Sequence, residues 1–294
     1  MTFNQGGSFE GGRVSSRRGG GAAAGGGVGL IGIIGFLIYQ FTGVDPTPVL
    51  QQAQQAQQGR TVQQESTIGD CTAEQANTDR GCRLSATVQS LDAYWASVLG
   101  PDGQQVPRPE VIEFQGATTS ACGQATAATG PFYCPPDQGI YMDLAFFDTL
   151  QTRFGASDGP LAEMYVTAHE YGHHIQNITG VMNQADRSAS GASSDSVKVE
   201  LQADCYAGMW AGAAATTVDP DTGTTFLEPI TSQQLADALS AAEAVGDDHI
   251  QEASGGQVDP HTWTHGSSEQ RQEWFTIGYE QGSLEACDTF ASTF

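Results

Sequence analysis

Two histidines and a glutamate near the middle of the chain have the spacing H-E-x-x-H: His169, Glu170 and His173. The surrounding segment, residues 161–179, has the pattern of a single helix. At 3.6 residues per turn the two histidines share one face, so both imidazoles can reach a single Zn²⁺, while Glu170 lies about 100° around the helix axis. The spacing predicts a catalytic zinc site.

Zinc lowers the pKa of a bound water towards about 7, so a neighbouring carboxylate can take its proton. Glu170 has the right position for such a general base, and it would return a proton to the leaving amine of a peptide bond. A chance match on a structural helix is the alternative. The chain has only six histidines, and a random chain of that composition contains the motif less than roughly one time in a hundred.

Catalytic zinc usually has three protein ligands, so a third donor is expected downstream. Glu200 begins a second apolar-periodic segment that ends near residue 215, and it is the preferred candidate. Glu200 and Asp204 are four residues apart on one helical face, so one can bind the metal while the other orients a ligand histidine. We predict Glu200 as the ligand and Asp204 as the orienting residue. Asp204, His261 and His265 are the alternative ligands.

The motif followed by Glu200-x-x-x-Asp204 resembles the gluzincins, whose third ligand is a Glu from a following helix. Over nearly the whole chain the sequence is similar to the bacterial neutral zinc metallopeptidase family, in the runs Gly130-Pro131-Phe132-Tyr133-Cys134-Pro135, Ile140-Tyr141-Met142-Asp143 and His265-Gly266-Ser267-Ser268-Glu269-Gln270-Arg271. The resemblance implies a zincin-like domain that is mainly α with a small β-sheet (α+β) and acts on peptides or proteins. It does not identify the substrate.

In zincins a strand upstream of the metal helix commonly pairs with an extended substrate. The resemblance therefore implies that residues 140–143 form the substrate strand, with an ordinary core strand as the alternative. Zinc peptidases also need a second electrophile that holds the oxyanion. His265 is the first candidate for this role, with Tyr206 and Tyr279 as reserves, and a structural cap before the following helix is the alternative reading.

Asp247 and Asp248 are adjacent acids that follow a predicted helix over residues 232–245. They can bind a cation or orient a catalytic group. A solvated helix end is the more ordinary interpretation of such a pair.

Acidic residues outnumber basic ones by 34 to 11, for a net charge of −23. This balance excludes nucleic acid as an expected partner. With 294 residues and 39% hydrophobic content, the chain has room for one large domain with appendages. We expect a peptide or protein as the substrate.

Residues 22–41 are an uncharged, largely apolar run of a length that can cross a bilayer. Basic residues precede this run at positions 13, 17 and 18, so the positive-inside rule predicts a cytoplasmic N-terminus and an extracytoplasmic catalytic domain. A cleaved signal peptide is the alternative, but no A-x-A-like site follows. The pattern predicts a single-pass anchor in the cell membrane.

The predicted anchor divides the rest of the chain. Residues 1–21 are Gly- and Ser-rich and predict a disordered cytoplasmic tail. Residues 42–69 predict a flexible spacer, and residues 70–294 the zinc metallopeptidase domain.

Six cysteines follow the predicted anchor, an even number that favours disulfides in an exported domain. The short separations suggest Cys71–Cys82 and Cys122–Cys134, which leaves Cys205–Cys287. Six cysteines allow 15 pairings. A second zinc bound by cysteines is the alternative, although the chain has no C-x₂-C pair.

Together these patterns predict a membrane-anchored zinc peptidase with Glu170 as the general base. A hypothesis of another class is a catalytically silent, zinc-containing binding or scaffold protein of the cell envelope. Glu170 argues against it, because a purely structural zinc site has no need of that carboxylate.

Overall fold

The computed structural model describes residues 3–18, 64–100 and 104–292. This part of the chain forms eight α-helices, which are α1 Ala73–Thr78, α2 Arg80–Leu99, α3 Phe146–Phe154, α4 Pro160–Thr179, α5 Asp195–Ala213, α6 Ser232–Ala244, α7 Asp247–Ala253 and α8 Ser268–Gln281. It also forms nine strands, which are β1 Ser8–Phe9, β2 Val14–Arg18, β3 Gln64–Thr67, β4 Cys71–Thr72, β5 Glu110–Gln115, β6 Ala117–Ser120, β7 Gly123–Thr126, β8 Phe132–Cys134 and β9 Gly139–Met142.

The main sheet has five strands in the order β3-β2-β5-β9-β8. Its three central strands are parallel, with Val14 opposite Val111 and Val111 opposite Ile140, and the two outer strands run antiparallel to their neighbours. All of β9 and the middle of β5 are buried, as is usual for parallel strands covered on both faces. Two further sheets are the two-stranded pairs β1-β4 and β6-β7.

The Gly-rich N-terminal segment belongs to this fold. Phe3, Phe9 and Val14 are fully buried, and β2 lies between β3 and β5 in the main sheet. Arg13 Nε and Nη2 donate to the carboxylate of Asp92 on α2 at 2.6 and 2.9 Å. The prediction of a disordered tail is therefore wrong for residues 3–18, because a few apolar side chains at irregular spacing are enough to dock the segment.

The predicted fold class, mainly α with a small sheet behind a transmembrane helix, is also wrong. The fold is mixed α/β, and its main sheet has a parallel centre. The predicted anchor, residues 22–41, lies outside the described residues, as does most of the predicted spacer. Among the helices that the structure describes, none is both long and apolar enough to cross a membrane.

The predicted single-pass topology fails for a second reason. Strand β2 precedes the predicted span, whereas β3 and β5 follow it, and β2 pairs with both of them. A single crossing between β2 and β3 would put paired strands on opposite sides of a bilayer. A cytoplasmic N-terminus with an extracytoplasmic domain is therefore incompatible with the sheet.

The three predicted disulfides are present: Cys71–Cys82, Cys122–Cys134 and Cys205–Cys287. The third joins two cysteines that are 82 residues apart in the sequence, and it links α5 to the segment after α8. The prediction from spacing is confirmed.

Helices α4, α5 and α8 pack closely because glycines line their contacts. A Cβ added at Gly172 of α4 would lie 3.1 Å from both Cα and O of Ala203 on α5. On the other side of α5, a Cβ at Gly208 would overlap Phe275 O, and a Cβ at Gly278 of α8 would overlap Cys205 O. The helix backbones are therefore in direct contact at these positions. The helical turns that carry the predicted site residues lie close together as a result.

Candidate metal centre

Helix α4 carries the H-E-x-x-H motif and begins and ends where the sequence predicts, within one residue. Pro160 is at its first turn, where a missing N–H is tolerated, and Gly180 ends it in the left-handed conformation at φ 86°. All residues from Leu161 to Gln176 are buried. The motif therefore lies on a rigid central helix.

Three donor groups converge beside α4. Among the described residues, His169, His173 and Glu200 are the group of potential ligands whose donor atoms all lie within 4.8 Å of one another. Glu200 Oε2 is 3.1 Å from His169 Nε2, and Oε1 is 3.5 Å from His173 Nε2. Ligands bound about 2.0–2.2 Å from a tetrahedral zinc are about 3.3 Å apart. The spacing and the N₂O donor chemistry therefore fit zinc.

The His169 ring is held by a buried charged cluster. Its Nδ1 is 2.8 Å from Asp204 Oδ1. Arg271 of α8 donates to both Asp204 oxygens, from Nε at 2.8 Å and from Nη2 at 3.0 Å, and the Tyr165 hydroxyl donates to Oδ1. Asp204 is 0% exposed and Arg271 3%. Burial alone would raise the pKa of Asp204, but Arg271 and His169 outweigh it and keep that pKa low.

The His173 ring is held by neutral groups instead. Its Nδ1 is 2.8 Å from Gln176 Oε1, three residues further along the same helix. Gln176 Nε2 donates to Val199 O at 2.7 Å and to Gln202 Oε1 at 3.1 Å. These contacts tie α4 to α5 directly beside Glu200.

Glu170 lies beside the three donors and is buried. Burial raises its pKa, the two histidines act in the opposite direction, and the charge of Glu200 adds to the rise. For Glu200 burial would also raise the pKa, but His173 and His169 outweigh it and hold the pKa well below its ordinary value. The two carboxylates thus differ: Glu200 stays ionised, whereas Glu170 holds a proton more tightly.

His265 lies in the turn before α8, next to the segment of α5 that carries Glu200. Its Nδ1 is 3.3 Å from Asp247 Oδ1, and the backbone N–H groups of residues 264–266 donate to Asp247 Oδ2 at 2.8, 2.7 and 3.1 Å. Gly266, at φ 94°, packs against Val197 and Leu201. Burial would lower the pKa of His265, but Asp247 and Glu200 raise it.

The other candidates from the sequence lie elsewhere. His261 is exposed in a 3₁₀ turn, Tyr206 packs its ring against Trp95, and Tyr279 stacks on Phe275. The sequence reasoning gave no role to Arg271 or Gln176. For Asp247 a solvated helix end was preferred over a role in orienting a catalytic group, whereas Asp247 is 1% exposed.

The predicted substrate strand is not a free edge. Strand β9 is paired with β5 on one side and with β8 on the other, so its residues 140 and 141 have strand neighbours in both directions. The outer strand on this side of the sheet is β8, whose Tyr133 hydroxyl lies 3.1 Å from His174 Nδ1 of α4.

Two histidines and a glutamate from neighbouring helices, with a second glutamate beside the first of them, match the donor set and neighbouring carboxylate typical of catalytic zinc sites. A family model described as "Putative neutral zinc metallopeptidase" matches residues 4–290, and the chain belongs to this family.

The chain is 47% identical over 251 residues to a Mycobacterium tuberculosis protein named "Uncharacterized protein Rv2575", with 85% of this chain and 84% of the relative covered. It is 34% identical over 271 residues to the Escherichia coli protein "Uncharacterized protein YpfJ", with 90% and 87% covered. No solved structure matches the chain.

Proposed function

We propose that this chain hydrolyses peptide bonds with zinc held by His169, His173 and Glu200. The observation that carries the proposal is the convergence of three donor groups within 4.8 Å beside Glu170. Zinc bound there supplies a Lewis acid that lowers the pKa of water to about 7 and polarises a carbonyl. Peptides or proteins are the substrate class that family membership supports.

Glu170 is the general base in this proposal. It takes a proton from the attacking water and passes it to the leaving amine. A base is most efficient when its pKa approaches the working pH. Burial raises the pKa of Glu170, which supports this role.

Asp204 and Arg271 act through His169. The Asp204 carboxylate accepts the Nδ1–H of His169, so Nε2 is the nitrogen that faces Glu200 and the metal position. Arg271 balances the buried charge of Asp204, so the carboxylate remains ionised.

His265 donates a hydrogen bond to the oxyanion, and Asp247 positions it. Asp247 accepts from His265 Nδ1 and from the backbone around it, so the ring has a fixed orientation. The raised pKa of His265 favours the protonated imidazole, whose Nε2–H can donate to a negatively charged oxygen.

The test compares the wild type, Glu170→Gln and the exposed control Glu252→Gln. We use the full chain, because β2 belongs to the main sheet. Zinc content is measured by elemental analysis, and cleavage of an unbiased peptide library by mass spectrometry. Glu170→Gln should retain about one zinc and lose roughly 10²–10⁴-fold in cleavage rate.

Cleavage by Glu170→Gln at the wild-type rate would refute the role of Glu170. Stoichiometric zinc without cleavage, in both the wild type and the control, would instead support a zinc-containing binding protein. A chelator should abolish cleavage by the wild type and by the control.

A further inference from the structure

We propose that Gln176 and Gln202 are positioning residues that fix the ring tautomer of His173. In this arrangement Nδ1 carries a proton, and Nε2 is the nitrogen that faces the metal position. The inference rests on the proposed zinc site but not on hydrolysis. It assigns a function to two buried amides that the proposed mechanism leaves unused.

The orientation of the Gln176 amide follows from its surroundings. Its nitrogen is 2.7 Å from Val199 O, and a backbone carbonyl can only accept a hydrogen bond. The amide nitrogen must therefore face Val199, and the amide oxygen must face His173 Nδ1 at 2.8 Å. An amide oxygen cannot donate, so the partner nitrogen of His173 has to carry the hydrogen.

Gln202 fixes the same polarity from the other end. Its nitrogen donates to Cys287 O at 3.0 Å, again a group that can only accept. Its oxygen therefore faces Gln176 Nε2 at 3.1 Å. Two backbone carbonyls, on α5 and after α8, thus determine the direction of every hydrogen bond between them and His173.

Burial makes this direction hard to reverse. Gln176 is 0% exposed, Gln202 4% and His173 7%. If the Gln176 amide flipped, its oxygen would face Val199 O, so two acceptors would be in contact, and a buried unsatisfied acceptor carries its full desolvation penalty. The Cys205–Cys287 disulfide also holds one of the two carbonyls close to α5.

The competing explanation is that the amides only connect α4 to α5. A purely structural role predicts lower fold stability and an unchanged zinc affinity of the folded protein. A positioning role predicts weaker zinc binding and a mixed tautomer at His173. The two explanations therefore differ in two quantities that can be measured without any substrate.

The experiment uses the full chain as wild type, Gln176→Met, Gln202→Met and the exposed control Gln151→Met. Zinc affinity is measured by competition with a chelator, and the imidazole tautomers by ¹⁵N–¹H correlation spectra of histidine-labelled protein. Gln176→Met should bind zinc roughly 10–100-fold more weakly, the range found when partners of metal ligands are removed. Gln202→Met should show a smaller loss in the same direction.

In the wild type and the control, His173 should show one tautomer with the proton on Nδ1. Affinities within twofold of wild type for both variants, with an unchanged tautomer, would overturn the inference. If Gln176→Met does not fold, the result for Gln202→Met decides alone, because it leaves the His173 partner in place. Zinc binding without hydrolysis would refute the peptidase but not this inference.

Discussion

In both histidines of the metal centre, Nδ1 faces a buried hydrogen-bond acceptor, but the two acceptors differ in charge. His169 Nδ1 faces a carboxylate, Asp204, whose charge is balanced by Arg271. His173 Nδ1 faces the neutral amide of Gln176. In both arrangements Nε2 is the nitrogen that faces the metal position. The charged side of the centre, formed by His169, Asp204 and Arg271, requires α8 to supply a cation. The neutral side, formed by His173 and Gln176, is built mainly from α4 and α5.

The two sides differ in how much stability the protein loses when one residue of a side is substituted. A buried ion pair must offset the desolvation of both charges, so losing one partner leaves an uncompensated charge in the interior. A neutral amide that loses its partner leaves only an unsatisfied hydrogen bond. The charged side should therefore be the more sensitive one to single substitutions.

The largest effect is expected for Arg271→Met, which removes the cation and keeps most of the apolar stem. It leaves the Asp204 carboxylate, which is 0% exposed, without its arginine partner. The free energy of unfolding should therefore fall by about 3–5 kcal/mol. Denaturant unfolding of metal-free protein measures this change. The control Arg153→Met changes an exposed arginine of α3 and should stay close to wild type.

The double variant Arg271→Met with Asp204→Asn sharpens the interpretation. It removes the charge that has lost its partner, so it should be more stable than Arg271→Met alone. Together with the wild type and the single variant Asp204→Asn, it completes the cycle that gives the coupling energy of the pair. If the single variant were as stable as the control, Asp204 would be hydrated or protonated without its arginine partner, and the two sides would not differ in their sensitivity to substitution.

A smaller effect is expected for Gly278→Ala, which pushes α8 away from α5. The added Cβ would overlap Cys205 O, and overpacking of this kind costs about 1–3 kcal/mol. The shift should loosen Arg271 from Asp204 and leave the amides of α4 and α5 in place. Thermal unfolding checks it against Gly69→Ala, where an added Cβ meets nothing within 4 Å. Equal stabilities would show that the helices separate without cost.

The helix that carries the motif could be predicted from the sequence because its signals are local. The three donors that converge in the structure, His169, His173 and Glu200, were also the predicted ligands, since helical spacing places them on defined faces. Arg271 and Asp247 could not be assigned in the same way. Whether a charged residue is buried and paired depends on helices that meet far apart in sequence.

The prediction of a disordered N-terminal segment was wrong, and the strand order favours the alternative of an ordinary core strand over a substrate strand, for related reasons. Residues 3–18 have a composition typical of disorder, but their stability comes from pairing with strands about fifty and a hundred residues away. The predicted strand matches β9 at residues 140–142, yet the strand order puts β9 inside the sheet. The periodicity of a sequence indicates the type of each element, but it gives little information about which elements pack or pair with each other.

On the charged side of the centre, zinc must displace a proton from His169 before it can bind. In the metal-free protein, burial would lower the pKa of His169, but Asp204 and Glu200 raise it to about 10. A ligand nitrogen must lose its proton to bind zinc. Zinc affinity should therefore rise about tenfold per pH unit, and the rise should continue above about pH 7, where an ordinary histidine is already neutral.

Chelator competition between about pH 6 and about pH 9 measures this slope. Asp204→Asn removes the carboxylate that raises the pKa of His169 most, so its affinity should level off at a lower pH than that of the wild type. A wild-type affinity that is flat above about pH 7 would mean that His169 is already neutral before zinc binds. The charged partner would then orient the ring as Gln176 does, without holding a second proton on it, and the two sides would differ only in stability.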